Sequence, residues 1–303
     1  MNRPAARFGG IIPPLATPLV DRDTLDNDGL ERLVEHVLGG GVHGLFVLGT
    51  TGEGPTLTPA VRRGVIERTI HHVAGRVPVL VGISDTVLAE SLALARFAAD
   101  CGAAGVVAAP PYYFPAGQGP LEEWVRTLVA GLPLPLLLYN MPEMVKVVLG
   151  PALVRRLADL PGIVGLKDSG GDLETFTAYA SVVREQRPDW TLLIGPEQML
   201  PDAHAVGGHG GVCGGANVAP RLFVALQTAL ERGDVARASD LQRQVLSLGR
   251  LYAVSSEPGR VVVGVKAALA GLGICSTASA GWFERLDAEQ LERVREIIAG
   301  IRA

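Results

Sequence analysis

Short, almost continuously apolar runs recur along the chain, alternating with longer stretches in which apolar side chains return every three or four positions. The short runs lie at residues 10–15, 44–48, 77–82, 105–109, 134–139, 163–167, 190–194 and 211–213. Runs with so few polar positions predict strands buried on both faces, as parallel strands covered by helices are. Between them the period is helical. Leu30, Leu33, Val34, Val37 and Leu38 form one stripe, Val61, Val65, Ile66 and Ile70 a second, Leu88, Leu92, Ala95 and Ala99 a third. Eight strand signals spaced roughly 25–30 residues apart predict an α/β fold, a (β/α)8 TIM barrel. A doubly wound open sheet competes, but no GxGxxG follows the first strand and no GxxxxGK[ST] occurs.

After about Arg232 the pattern changes. Residues 235–252 and 286–301 read as helices, 256–259 as a breaker and 261–272 as an apolar helix, with no further strand. The expected organisation is a barrel domain over residues 1–231 and a C-terminal helical extension over 232–303. No Gly/Ser/Pro-rich linker sets the two apart.

Composition restricts the partners. A 303-residue chain with 48% hydrophobic and 19% charged residues and a net charge of -4 does not offer a nucleic-acid or polybasic membrane surface. Cys101, Cys213 and Cys275 are odd in number and lack any CxxC, which suits a reducing cytoplasm. Met1, Asn2, Arg3 and Pro4 lead into Gly-Gly-Ile-Ile without the long apolar core of a signal peptide, and no run is apolar enough to span a bilayer. A soluble cytoplasmic protein is expected.

Of 27 basic side chains only Lys146, Lys167 and Lys266 are lysine. Arginine can supply charge, but a guanidinium cannot lose its proton and attack a carbonyl, whereas a lysine amine can. The three lysines are therefore candidate amines, although codon bias could leave the same count. Lys167 ends the run Gly162-Ile163-Val164-Gly165-Leu166-Lys167. Lys266 sits in an apolar helix and reads as snorkelling or paired.

Active sites of such barrels lie at the C-terminal ends of the strands. There the chain places Gly49-Thr50-Thr51-Gly52-Glu53, Pro110-Pro111-Tyr112-Tyr113, Tyr139-Asn140-Met141-Pro142, Lys167-Asp168-Ser169-Gly170-Gly171-Asp172, Gly195 and Gly210-Gly211-Val212-Cys213-Gly214-Gly215. An amine, hydroxyls and phenols thus gather on one rim, with no ligand spacing that implies a metal. Strand alternation puts Ile163, Gly165 and Lys167 on one face, where glycine at 165 would leave room beside the lysine stem and apolar walls would disfavour the ammonium. Tyr139 points with Leu137 and could relay protons. Plainer readings stay open: Lys167 paired with a carboxylate, Thr50 and Thr51 as helix caps with Glu53 in the first turn, the tyrosines as packing aromatics, His71 and His72 as surface residues.

The Gly-Thr-Thr-Gly-Glu turn, Pro-Tyr-Tyr, Tyr-Asn-x-Pro and Gly-Leu-Lys-Asp, in this order, resemble the dihydrodipicolinate synthase/N-acetylneuraminate lyase family, with Gly-Gly-His-Gly-Gly-Val and Ala-Asn-Val near 207–218 completing the pattern. The resemblance implies a class I aldolase in which a lysine forms an imine with pyruvate or a 2-oxo acid, with no metal or organic cofactor. It implies Lys167 as nucleophile, Tyr139 as proton shuttle, and Thr50 and Thr51 as carboxylate binders and hydroxyl relay. Tyr113 would reach a neighbouring subunit's site in a homotetramer, a dimer of dimers. Gly195 and the Val212 backbone would line the pocket, and Ser169 would contact a substrate hydroxyl or carboxylate.

The departures bear on substrate. True dihydrodipicolinate synthases carry an arginine five residues beyond the Tyr-Asn-x-Pro tyrosine; here Met144 stands there and cannot grip a carboxylate. Lys146 could supply one positive contact or face solvent, and the solvent reading is preferred. Gly54, Pro59 and Arg62 differ from the residues that bind feedback lysine in some synthases. Sialic-acid lyases show Ser-Thr in place of Thr50-Thr51. The Lys-Asp-Ser-Gly-Gly-Asp and Gly-Gly-Val-Cys runs resemble 4-hydroxy-2-oxoglutarate aldolases, and 2-keto-3-deoxy sugar acid aldolases are also compatible. The expected function is cleavage or formation of such acids from a 2-oxo acid and an aldehyde. The alternatives are a 2-keto-3-deoxy acid dehydratase, a 4-hydroxy-tetrahydrodipicolinate synthase and a non-catalytic 2-oxo-acid-binding barrel.

Overall fold

Valine, leucine and isoleucine fill the short runs, and in the computed structural model, which describes residues 8–301, each becomes a parallel strand. The strands are β1 Gly10–Ile11, β2 Leu45–Val47, β3 Val79–Gly82, β4 Gly105–Ala108, β5 Leu136–Asn140, β6 Ile163–Asp168, β7 Thr191–Ile194 and β8 Gly210–Gly211. They are ordered β1-β8-β7-β6-β5-β4-β3-β2, and a parallel bridge between Pro14 and Phe46 joins β1's continuation to β2. Eight parallel strands closing in this way, with helices outside, are a (β/α)8 barrel. Met1, Asn2, Arg3 and Pro4, read above for a leader, lie outside the described residues.

The helices are α1 Asn27–Gly39, α2 Pro59–Val73, α3 Leu88–Cys101, α4 Gln118–Gly131, α5 Pro142–Val145, α6 Pro151–Leu157, α7 Leu173–Gln186, α8 Leu200–Ala205, α9 Pro220–Glu231, α10 Val235–Leu248, α11 Arg260–Gly271 and α12 Ala288–Ala299. Side-chain caps start several of them. Asp26 accepts from Gly29 N–H, Thr58 from Val61 N–H and Asp172 from Thr175 N–H, satisfying donors that the first turn leaves free. The stripe on α1 buries Leu30, Leu33, Val34 and Val37 as expected. On α3 the buried residues are instead Ser91, Ala95 and Ala98, with Leu88 and Leu92 half-buried.

Most expected strands come out shorter, β1 most of all. β1 stops at Ile11 because Pro13 and Pro14 have no N–H for a ladder. Where β1 meets β8, a Cβ on Gly210, at φ 142°, would fall inside the Gly10 carbonyl, so only glycine allows the closure. Beyond β8 the chain is helical. The helix expected at 235–252 ends at Leu248 and tightens into a 3₁₀ turn over Gly249–Ala253. Among the described residues no helix is long and apolar enough to cross a membrane.

Candidate active site

Strands β5 and β6 run side by side with Tyr139 opposite Lys167 and Asn140 opposite Asp168. The Lys167 ammonium lies 4.0 Å from the centre of the Tyr139 ring and 5.1 Å from that of Phe46 on β2. Lys167 and Tyr139 are 4% and 5% exposed. One amine is therefore held between two aromatic faces at the top of the barrel, where cation–π attraction is strengthened by the exclusion of water.

The strand-alternation expectation needs one correction. Leu136 pairs with Ile163 but Leu137 pairs with Gly165, so a bulge at Val164 takes Ile163 off the Gly165 and Lys167 face. The role expected of Gly165 changes too. A Cβ there would run into the Thr191 carbonyl of β7, so the glycine permits close strand approach rather than making room beside the lysine stem.

A hydroxyl chain leads away from the amine. Tyr139 OH and Thr50 Oγ1 are 3.2 Å apart, and Ser169 also reaches the phenol. Burial alone raises the Tyr139 phenol. The Lys167 ammonium, with hydrogen bonds from Thr50, Ser169 and Lys167, outweighs it and leaves the phenol below the ordinary tyrosine value.

Backbone geometry positions the hydroxyls. Thr50 and Thr51 ride a turn closed by Glu53 N–H to the Thr50 carbonyl at 3.0 Å and Gly54 N–H to the Gly49 carbonyl at 3.2 Å, with Thr17 Oγ1 donating to the Gly52 carbonyl at 2.7 Å. Thr51 is buried and Thr50 half-buried. Ser169 is held by its N–H to the Asn140 carbonyl, 2.8 Å, and Gly195 by its N–H to the Asp168 carbonyl, 2.7 Å. Any side chain at Gly195 would collide with Ser169 Oγ. Val212 is buried at the end of β8, its N–H donating to the Ile194 carbonyl.

Thr50, Tyr139, Lys167, Ser169 and Gly195 thus share one rim. Tyr113 does not touch them. It is 76% exposed, stacked edge-on against Phe114, itself 80% exposed, at 4.9 Å. Met144 is exposed on α5, and the exposed Lys146 turns its ammonium back to the Glu143 carbonyl. Lys266 is buried and paired with Glu53, so it does not snorkel. Nor is Glu53 a first-turn helix residue: it takes a left-handed φ of 57° and is buried. His72 contacts Glu35 near the surface at 2.8 Å. Among the described residues no group of three or more His, Cys, Asp or Glu side chains is placed to hold a metal ion.

Several polar residues around the rim went unassigned in the sequence reading. Asn140 Nδ2 donates to Asp168 Oδ1 at 2.7 Å, while Asn140 Oδ1 accepts Leu149 N–H and Asp168 Oδ1 accepts Gly170 N–H, each at 3.0 Å. This buried pair ties the ends of β5 and β6 and anchors the loops that follow both. Both residues lie in motifs already noted, and that was the available signal. Glu197, two residues past Gly195, accepts from the Gly215 N–H and, at 2.8 Å, from Tyr252 OH. Burial pushes its carboxyl up to about 7, although both hydrogen bonds oppose the rise. Tyr252 comes from beyond the barrel strands, and no local pattern links it to Glu197.

Comparison with known proteins agrees with this architecture. The dihydrodipicolinate synthetase family model matches residues 7–300. The chain is 34% identical over 251 residues to the probable 2-dehydro-3-deoxy-D-pentonate aldolase YjhH of Escherichia coli K12, covering 82% of this chain and 83% of that protein. It superposes on dihydrodipicolinate synthase from Bacteroides thetaiotaomicron with a TM-score of 0.93 and 43% identity, over 99% and 100% of the two chains. YagE of E. coli K12, a prophage protein of the dihydrodipicolinic acid synthase family solved with pyruvate, gives a TM-score of 0.92 at 31% identity over 97% and 98%.

Proposed function

Since the chain belongs to the dihydrodipicolinate synthetase family, and so to a class of lyases and aldolases, we propose that it is an imine-forming aldolase of 4-hydroxy-2-oxo acids or 2-keto-3-deoxy sugar acids. The observation that carries the reading is the Lys167 amine set against the Tyr139 ring, with the Tyr139 hydroxyl joined to Thr50.

The deprotonated Lys167 amine attacks the C2 ketone, and the proton it loses passes to the former carbonyl oxygen. Tyr139 protonates the carbinolamine hydroxyl, which leaves as water. The resulting iminium is an electron sink. The C4 hydroxyl gives up its proton to the Tyr139 phenolate, the C3–C4 bond breaks toward the iminium, and an aldehyde leaves. The enamine is protonated at C3, and water hydrolyses the iminium to pyruvate and free Lys167. Run backwards, the same steps add pyruvate to an aldehyde. The imine itself supplies the electron sink, so the cycle calls on no cofactor.

Thr50 and Thr51 would receive the carboxylate, and Ser169 a hydroxyl or carboxylate oxygen. Gly195 and the Val212 backbone would border the pocket. Met144 in place of a cation, with Lys146 turned to its own loop, supports a hydroxylated or short aldehyde over an aldehyde bearing its own carboxylate and amine. The exposed Tyr113 and Phe114 pair supports assembly into a homotetramer, a dimer of dimers, in which Tyr113 meets a neighbouring subunit. The free Cys101, Cys213 and Cys275 suit a cytoplasmic enzyme.

A substrate panel tests the reading. Pyruvate released from 2-keto-3-deoxy acids or 4-hydroxy-2-oxoglutarate, followed by its reduction with lactate dehydrogenase, supports cleavage. A product that keeps every carbon but has lost water identifies a dehydratase instead.

A further inference from the structure

Lys266 and Glu53 form an ion pair almost wholly out of solvent, their side chains 1% and 0% exposed. Lys266 projects from α11, among the C-terminal helices, and Glu53 closes the turn that carries Thr50 and Thr51. The second carboxylate oxygen of Glu53 accepts the Ala280 and Gly281 N–H groups at 2.8 and 3.1 Å. Lys266 also donates to the Ala278 carbonyl. Two backbone N–H groups and one ammonium from beyond the barrel strands thus meet the Glu53 carboxylate, while the Glu53 backbone N–H closes the turn onto Thr50. Taking two charges out of water is costly, and a well-packed apolar pair would often stabilise at least as well. What the ion pair adds is direction, since two backbone hydrogen bonds and one ammonium define where the carboxylate can sit. A cavity of about 790 Å³ lined by Arg22, Ala267, Ala278, Gly281 and Trp282 lies along the same segment and leaves it lightly packed on that side. Its inward bonds to Glu53 therefore matter more.

We propose that the Glu53–Lys266 pair is a positioning device through which the C-terminal helices hold the Thr50–Thr51 turn in its carboxylate-binding geometry. Neither residue meets the reacting atoms. The proposal rests on the pyruvate reading given above.

The test is the double variant Glu53→Gln/Lys266→Met, which removes both charges together and leaves neither buried alone. Pyruvate is titrated in a borohydride trapping assay on Lys167, and amide exchange is followed over residues 49–56. Half-saturating pyruvate should rise about tenfold, as expected when charge-assisted hydrogen bonds to a carboxylate loosen. The limiting trapping rate should stay near wild type, and amides of 49–56 should lose protection while β5 and β6 keep theirs. Destabilisation of the whole fold would not give that split. If the double variant does not fold, Lys266→Arg, which keeps the pair's charges but displaces the donor, should move both readouts in the same direction by a smaller factor. A folded variant with wild-type half-saturation, or with unchanged protection of the turn, overturns the proposal. A wild type that never traps pyruvate would sink the pyruvate reading instead, and the exchange result would still decide whether the pair holds the turn.

Discussion

The Lys167 ammonium lies over the Tyr139 ring at 4.0 Å, from the neighbouring strand and at the same register. Two consequences follow from that contact. The ring packs against the amine, and its hydroxyl edge lies 3.2 Å from Thr50 Oγ1, the contact through which the proposed reaction would pass protons.

Removing the hydroxyl while keeping the ring isolates the second role. Tyr139→Phe should keep the fold, checked by circular dichroism, and slow turnover by roughly 10²–10⁴-fold, as loss of a general acid–base group does. An unchanged rate would remove Tyr139 from the mechanism.

Met144 is exposed, so a longer side chain there meets no packing penalty. Met144→Arg should raise kcat/KM for carboxylate-bearing aldehydes by about tenfold through a charge-assisted contact. Steady-state kinetics across an aldehyde series would show it, and no gain would mean that the acceptor end lies elsewhere.

Glu197 links stability to pH. Burial raises its carboxyl from the ordinary glutamate value of 4.5 to about 7. The folded state therefore holds a proton that the unfolded chain has lost between these values, and stability falls as pH rises through that window. The penalty is absent below about pH 4.5 and complete above about pH 7, on the order of 3 kcal/mol. Glu197→Gln, which keeps an acceptor for Gly215 and Tyr252, should lose that slope. Denaturant melts of both proteins at pH 5 and pH 8 decide it, and a difference that does not change with pH contradicts the assignment.

Asn140 and Asp168 tie β5 to β6 through buried hydrogen bonds. Asn140→Ala leaves Leu149 N–H and Asp168 Oδ1 each short of a partner, and should cost about 1–3 kcal/mol in denaturant unfolding. Asp168→Asn keeps an acceptor for Asn140 and Gly170 and should be milder. Equal losses in the two variants would show that the charge, not the hydrogen bonds, matters there.

Much of the barrel was readable because parallel strands must be apolar on both faces, and that leaves a mark at every turn of the chain. Lys167 and Tyr139 were readable because both end such runs. The miss at Ile163 came from assuming unbroken alternation, which the bulge at Val164 interrupts, and the miss at Gly165 from the Thr191 carbonyl on β7, which no pattern within β6 records. On α3 the fully buried positions are Ser91, Ala95 and Ala98, so of the expected stripe only Ala95 is wholly buried. Glu197 with Tyr252, and Glu53 with Lys266, are contacts across 55 and 213 residues with no shared period. Tertiary packing creates them, so no local pattern records them.

The central claim is an imine on Lys167, and it can be tested directly. Wild-type protein is incubated with pyruvate, reduced with borohydride, digested and mapped by mass spectrometry. The account predicts a pyruvyl adduct on Lys167, absent from Lys167→Ala. An unmodified protein, or an adduct confined to Lys146 or Lys266, would contradict it.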